Sequence, residues 1–197
     1  MRPGVFKLLV IQIQFDIFAA VNADGDCQDL NEEAAFINDG FCDNDIQQGG
    51  LGDCWFLSAL ASLAVDMPDK YDSRTRTAAA ERVIEREANN AAMVEGGDFK
   101  FNFFRMGEWQ QVLVDRVLPS QRRAQPSKTN EWWVPLAEKA YAKLNGSYDN
   151  IHGGHTCWAL TELTGGIAGM MNLTWENVNT IGVEEFKEDG FTTQPCL

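Results

Sequence analysis

The segment Cys54-Trp55-Phe56-Leu57-Ser58-Ala59-Leu60-Ala61-Ser62-Leu63-Ala64 constrains this chain more than any other. Apolar or small residues occupy nearly every face of it, and a helix without a polar side must lie in the middle of a domain, enclosed by other elements. Asp53 is suited to cap its N-terminus, and Pro68 stands just past its end. Directly before it, Gln47-Gln48-Gly49-Gly50-Leu51-Gly52 forms a loop with three glycines. The fold must therefore enclose one helix while leaving its first residue, a cysteine, beside a permissive loop.

The chain is long enough to do so. At 197 residues and 22.0 kDa, with 45% hydrophobic residues, it makes one ordinary domain or one lobe of a two-lobed enzyme, and it is too apolar for intrinsic disorder. Sixteen Lys+Arg against 29 Asp+Glu give a net charge of -13, a field that repels phosphate backbones and argues against a nucleic-acid partner. The five cysteines, Cys27, Cys42, Cys54, Cys157 and Cys196, are odd in number and form no CxxC pair. Such usage fits free thiols in a reducing compartment, a cytoplasmic location, and disfavours a zinc ribbon or a thioredoxin-type centre. The alternative location is secreted. Met1-Arg2, Lys7, the apolar run Leu8 to Phe18 and Ala19-Ala20-Val21-Asn22-Ala23 trace the outline of a signal peptide. Gln12, Gln14 and Asp16 interrupt that run, its Ile11, Ile13, Phe15, Ile17 alternation reads equally as a strand, and it is too short and polar to be a transmembrane segment. The sequons at Asn145 and Asn172 bear only on the secreted alternative.

Along the chain, Asp24 to Asp45 reads as an acidic loop around Ala34-Ala35-Phe36-Ile37. Thr77 to Ala92, rich in Ala and Glu, reads as an exposed helix that decorates the core. Alternating Phe99, Phe101 and Phe103, a turn at Met106-Gly107 and a second strand from Trp109 to Val114 predict a hairpin. Asn130 is expected to cap a helix running through Leu144, with Pro135 in its first turn and Asn145-Gly146 as its stop. Its buried face would be Trp133, Leu136, Ala137, Ala140, Tyr141 and Leu144. After the turn His152-Gly153-Gly154-His155, a shorter helix from Thr156 should end at Gly165-Gly166, and Asn172 to Leu197 is an acidic, weakly patterned tail.

The chemistry centres on Cys54. The free amides and positive dipole end of a helix favour a thiolate, which is what a cysteine nucleophile requires, and glycines in the preceding loop let a substrate backbone approach the sulfur. A tetrahedral intermediate on that sulfur needs donors for its oxyanion; the amide of Cys54 and the side-chain amide of Gln48 are candidates.

The string QGGLGDCWFLSALASLA resembles the active-site cysteine motif of the calpains, the calcium-dependent members of the papain-like cysteine proteases. GEWQQVLVDRVLP from Gly107 resembles the hairpin that follows in that family, NEWWVPLAEKAYAKLNGSYDNIHGG from Asn130 is closer still, and Leu163-Thr164-Gly165-Gly166 completes the series. The resemblance runs from Phe36 to about Leu173. It implies an α+β fold, the helix-rich first lobe of a papain-like calpain catalytic core with a small antiparallel hairpin, over residues 31–175. Residues 1–30 are then an N-terminal extension and 176–197 a tail. It further implies that Cys54 is the nucleophile and Gln48 the oxyanion-hole side chain of a calcium-dependent endopeptidase acting on protein substrates. FINDGFCDNDIQQG is similar to the family's calcium loop, which assigns Ca²⁺ to Asn38 and Gly40 through backbone carbonyls and to the carboxylates of Asp45 and Glu131. An oxygen-only donor set of this kind suits Ca²⁺.

The resemblance also has gaps. Family members carry a catalytic histidine and asparagine in a second lobe that is absent from this chain, to be supplied by a missing continuation or by another chain. His152 and His155, the only two histidines, fall in the glycine-rich turn and match neither role; with Cys157 they make an incomplete metal set. Asp43 stands where calpains commonly have a basic residue, and Thr77 to Ala92 looks like an insertion. Two other functions stay open: a non-catalytic calcium-binding or interaction module derived from such a protease, and a thiol acyltransferase on the same fold.

Overall fold

A computed structural model of the chain describes residues 27–30, 33–38, 40–64, 80–120, 123–128 and 130–167. The signal-like segment, Pro68, Asp39, the Asn172 sequon and the tail lie outside these residues. The described elements run β1 (Cys27–Asp29), α1 (Cys54–Ala64), α2 (Arg86–Glu95), β2 (Phe99–Arg105), β3 (Glu108–Val114), β4 (Val117–Pro119), α3 (Trp133–Asn145) and α4 (Thr156–Thr164), with single 3-10 turns at Asp43–Asp45 and Asp149–Ile151. Among them no helix is long and apolar enough to cross a membrane.

The hairpin follows its sequence pattern. β2 and β3 pair antiparallel with Phe99 opposite Val114, Phe101 opposite Val112 and Phe103 opposite Gln110, and all three phenylalanines point into the core. Met106 and Gly107 take positive φ at the tip, as a tight turn requires. β1 pairs antiparallel with β4, placing Cys27 opposite Pro119. Nothing in the local composition of the acidic loop signalled that strand.

α1 is buried as its composition demands, with Trp55, Phe56, Leu57, Ala59, Leu60 and Ala64 in the core. α3 buries more than the expected stripe: Val134, Pro135, Glu138 and Ala142 join Trp133, Leu136, Ala137, Ala140 and Tyr141 inside, while Leu144 is half-buried. Tyr141 is the hub between the two helices. Its ring stacks on Phe56 at a centroid distance of 4.1 Å, meets Trp55 edge-on at 5.7 Å and lies tilted against Phe103 at 5.4 Å, geometries that add to the area buried. Its hydroxyl donates to Glu162 at 2.6 Å, and Arg105 holds the other oxygen of Glu162 at 3.0 Å. α4 is thereby tied to α3 and β2, and burial beside Glu162 pushes the Tyr141 phenol upward. α4 ends where Gly165 adopts the left-handed conformation, the stop its sequence announced.

Three expectations are corrected. Among the described residues of the exposed helix expected over 77–92, helix at 80–83 is separated from α2 at Ile84, which forms a bridge with Phe101. Val83 and Ile84 are buried because β2 offers them apolar surface, and Asn89 is buried because its side-chain amide exchanges hydrogen bonds with Lys100, donating to O at 2.9 Å and accepting from N at 2.6 Å. Asn130 does not cap α3, whose flanking residue is Trp132. Asn130 has φ +61 and spends its side chain on the Glu33 carbonyl and the Trp132 indole. Asp53 does not cap α1 with its side chain either: the carboxyl is buried, and its backbone oxygen takes the first helical bonds, from Phe56 at 2.8 Å and Leu57 at 3.1 Å.

Candidate active site

Cys54 is the first residue of α1 and its side chain is exposed, while Asp53 and Trp55 on either side are buried. The chain turns outward for one residue at the helix start, where the backbone amides have no intrahelical acceptor. Cys42 and Cys157 are also free, each half-buried.

The loop before Cys54 is fastened on two sides. Gln125 N donates to Gln47 O at 2.8 Å, joining the loop to the 123–125 segment. Gly153 N donates to Gly52 O at 2.8 Å, and Gly52 N donates to His152 Nδ1 at 3.2 Å, joining it to the glycine-rich turn. A Cβ at Gly52 would stand 2.6 Å from the His152 ring, so the ring keeps its place against the loop only while residue 52 has no side chain. The Trp55 indole donates to Ile151 O at 3.0 Å, and Gly154 lies flat against the same ring. Gln48, exposed, donates its side-chain amide to Leu51 O at 3.0 Å. Its donor is thus turned toward its own loop and must leave that carbonyl before it can serve an oxyanion.

Both histidines are exposed, as the sequence implied. His155 sets its ring against Trp158 at 4.6 Å. His152 does more than decorate a turn, because its Nδ1 accepts from the Gly52 amide and ties the turn to the loop before Cys54. No local signal could have revealed this contact across 100 residues of sequence. Among the described residues, no three His, Cys, Asp or Glu side chains converge as a metal group, the His152, His155, Cys157 set included.

Of the four residues assigned to calcium, Asn38 and Glu131 are joined by a hydrogen bond, and Asp45 is joined to the start of α3 through the Trp133 indole. Ala35 and Glu131 form a parallel bridge. Glu131, 1% exposed, accepts from Asn38 N at 2.6 Å and from Ser127 Oγ at 3.1 Å. Asp45, 7% exposed, accepts on Oδ2 from Cys42 N and from the Trp133 indole, both at 3.2 Å. Gly40 takes φ +111, a backbone conformation that glycine adopts without strain. Carboxylate oxygens are chemically suited to a hard cation. Only two side chains of the set carry charge.

One buried group was read as a cap by the sequence and another was not singled out at all. Asp53 and Glu138 are both 0% exposed and act on one another. Burial, reinforced for Glu138 by the neighbouring Asp53 carboxyl, drives both toward the protonated form.

Comparison with known proteins matches residues 26–190 to the family described as calpain family cysteine protease. The chain is similar to calpain-8 of Mus musculus, 38% identical over 149 residues that make up 74% of this chain and 20% of that protein. It is 36% identical over 156 residues to calpain-5 of Mus musculus, covering 75% of this chain and 23% of that protein. It is 36% identical over 149 residues to calpain-A of Drosophila melanogaster, covering 74% and 17%. The chain therefore spans about a fifth of the length of the curated relatives it matches.

Proposed function

Since the chain belongs to the calpain family of cysteine proteases, we propose that it carries the nucleophilic half of a calcium-dependent endopeptidase acting on protein substrates, with Cys54 as nucleophile. The observation that supports this most directly is the exposure of Cys54 between two buried neighbours, at the head of a helix whose preceding loop is fastened on both sides. Attack of the Cys54 sulfur on a peptide carbonyl forms a C–S bond and an oxyanion; collapse breaks the C–N bond, and the amine leaves with a proton. Water then cleaves the thioester, releasing a carboxylate and the thiol. The Cys54 amide and the Gln48 side chain stabilise the oxyanion, the latter once it exchanges Leu51 O for the substrate oxygen. Proton transfer to the leaving amine and from water requires a base and acid beyond the described residues, in keeping with a site completed by a second lobe. Cytoplasmic residence fits the three free thiols.

Ca²⁺ would be held by the Asn38 and Gly40 carbonyls and by the Asp45 and Glu131 carboxylates. Bound there it supplies a fixed positive charge between the loop and α3. In this reading Asp45 and Glu131 clamp the loop that leads into Gln48, so their loading governs whether Gln48 can reorient.

Peptide-resolved labelling of the whole chain with a peptidyl electrophile, with and without Ca²⁺, tests the proposal. Selective labelling of Cys54, stronger with Ca²⁺, is expected. Equal labelling of all five cysteines would overturn the nucleophile assignment and favour a non-catalytic module.

A further inference from the structure

Directly behind the candidate nucleophile, two carboxyl groups unused by the chemistry above are buried against each other. A carboxylate removed from water must be neutralised or paired. Glu138 receives the Ala124 amide on both oxygens, at 3.0 and 2.9 Å. Asp53 receives no geometrically sound hydrogen bond on either oxygen; the polar groups acting on it are the Glu138 carboxyl and its own backbone amide. Two anions in contact there would repel, whereas one proton between them makes an O–H···O bond and removes the orphan.

The charge count agrees. Arg123, 3% exposed, donates to Ala124 O at 2.9 Å, lies over the Trp132 ring at 5.0 Å and is attracted to Glu138. One guanidinium and one proton against two carboxylates leave the buried cluster neutral. The remaining titratable groups facing it are Tyr148, whose buried hydroxyl has no partner and which burial keeps neutral, His152 on the Asp53 side and Asp115 beyond Tyr148.

We propose that Asp53 and Glu138 share one proton at neutral pH, and that this hydrogen bond is the joint that keeps Cys54 and Gln48 in register. The connectivity gives the reason. Asp53 adjoins Cys54; Glu138 grips Ala124, and the next residue, Gln125, donates to Gln47, which adjoins Gln48. One side-chain contact therefore closes the path between the nucleophile and its oxyanion donor. Glu138 is a positioning residue in this scheme, and its role in register rests on the assignments of Cys54 and Gln48 above; the shared proton does not.

Infrared spectroscopy of the full chain reads the proton itself. A buried protonated-carboxyl band is expected at neutral pH in the wild type, and its absence is expected in both Asp53→Asn and Glu138→Gln, each of which leaves one carboxylate facing an amide donor. Hydrogen exchange over residues 47–54 reads the joint: Glu138→Ala should raise it at least tenfold, and Glu138→Gln, which keeps a hydrogen bond to Asp53, should restore protection. If Glu138→Ala does not fold, the alkaline limb of Cys54 labelling decides. Labelling should fall in the wild type as the shared proton leaves and should persist in Glu138→Gln, a difference that a purely structural role would not produce. No carboxyl band in the wild type, or identical behaviour of wild type and Glu138→Gln at alkaline pH, overturns the proposal. Unselective thiol labelling with the band and the exchange pattern intact would instead overturn only the assignment of Cys54.

Discussion

Gly154→Ala should be one of the most damaging single-methyl additions in this protein, because of what it would meet. An added Cβ stands 2.7 Å from both Cδ2 and Cζ2 of Trp55, far inside van der Waals contact. Trp55 cannot retreat: its ring is buried, held edge-on to Tyr141 at 5.7 Å and anchored by its indole bond to Ile151 at 3.0 Å. Overpacking of a tight core costs about 1–3 kcal/mol. Losing the Trp55 to Ile151 hydrogen bond adds about 1 kcal/mol. The sum, about 2–4 kcal/mol, corresponds to a fall of about 5–15 °C in melting temperature for a chain of this size. Gly52→Ala is the matched control. Its Cβ would meet the His152 ring at 2.6 Å, but that ring is exposed and can swing away for the loss of one hydrogen bond, about 1 kcal/mol. Urea unfolding of the two variants should therefore separate them by more than 1 kcal/mol. Trp55→Phe should rescue part of the Gly154→Ala loss in a double-mutant cycle, since the smaller ring vacates the contested space. Equal destabilisation by the two glycine substitutions, or no rescue, would refute the claim that Trp55 is held too firmly to yield to a Cβ at Gly154.

Gln48→Ala should weaken a reversible peptide aldehyde, which forms an oxyanion on Cys54, by about 10²–10³-fold while leaving alkylation by iodoacetamide unchanged; equal effects on both reagents would remove Gln48 from the oxyanion site. Asp45→Asn and Glu131→Gln, which keep an oxygen acceptor, should each weaken Ca²⁺ binding by about tenfold or more in calorimetric titration, because ligand charge sets affinity in such sites, and unchanged binding would clear both acids of that role. Asn89→Ala strands the Lys100 amide and carbonyl and should cost about 2–4 kcal/mol in urea unfolding; a loss under 0.5 kcal/mol, about the scatter of neutral surface changes, would mean that α2 is not tied to β2 through this side chain. The folded Asp53–Glu138 pair holds protons that the unfolded chain releases at the usual carboxylate pKa of about 4, so its contribution to stability falls as pH rises from that value toward the raised folded range. Urea midpoints of the wild type should decline with pH more steeply than those of Asp53→Asn, and parallel lines would contradict the raised proton affinity.

Most of the fold around Cys54 was legible because its signals are local. The all-round apolar stretch from Cys54 to Ala64 could only be an enclosed helix, the alternating Phe99, Phe101 and Phe103 could only be a half-buried strand, and Gly165 stops α4 where it should. The string around Cys54 carried the family. Misreadings arose where one residue had two possible uses. Asp53 and Asn130 are good caps by type, yet Glu138 claims the first and Glu33 with Trp132 the second. Val83 and Ile84 look like a thin stripe on a surface helix until β2 is set beside them; Ile84 then leaves the helix to bridge Phe101.

The sequence by itself therefore determined which segments are helix or hairpin, which cysteine heads the central helix and which family the chain resembles, because periodicity, turn residues and motif strings act over a few neighbouring positions. Only the tertiary structure decided what surrounds that cysteine: the Gly52 to His152 contact, the Gly154 cradle for Trp55, the turned-in amide of Gln48 and the buried meeting of Asp53 with Glu138. Those contacts, apart from that of Gln48 within its own loop, join residues 85 to 100 positions apart, and burial, rather than residue type, fixes the protonation and partners of a carboxyl group.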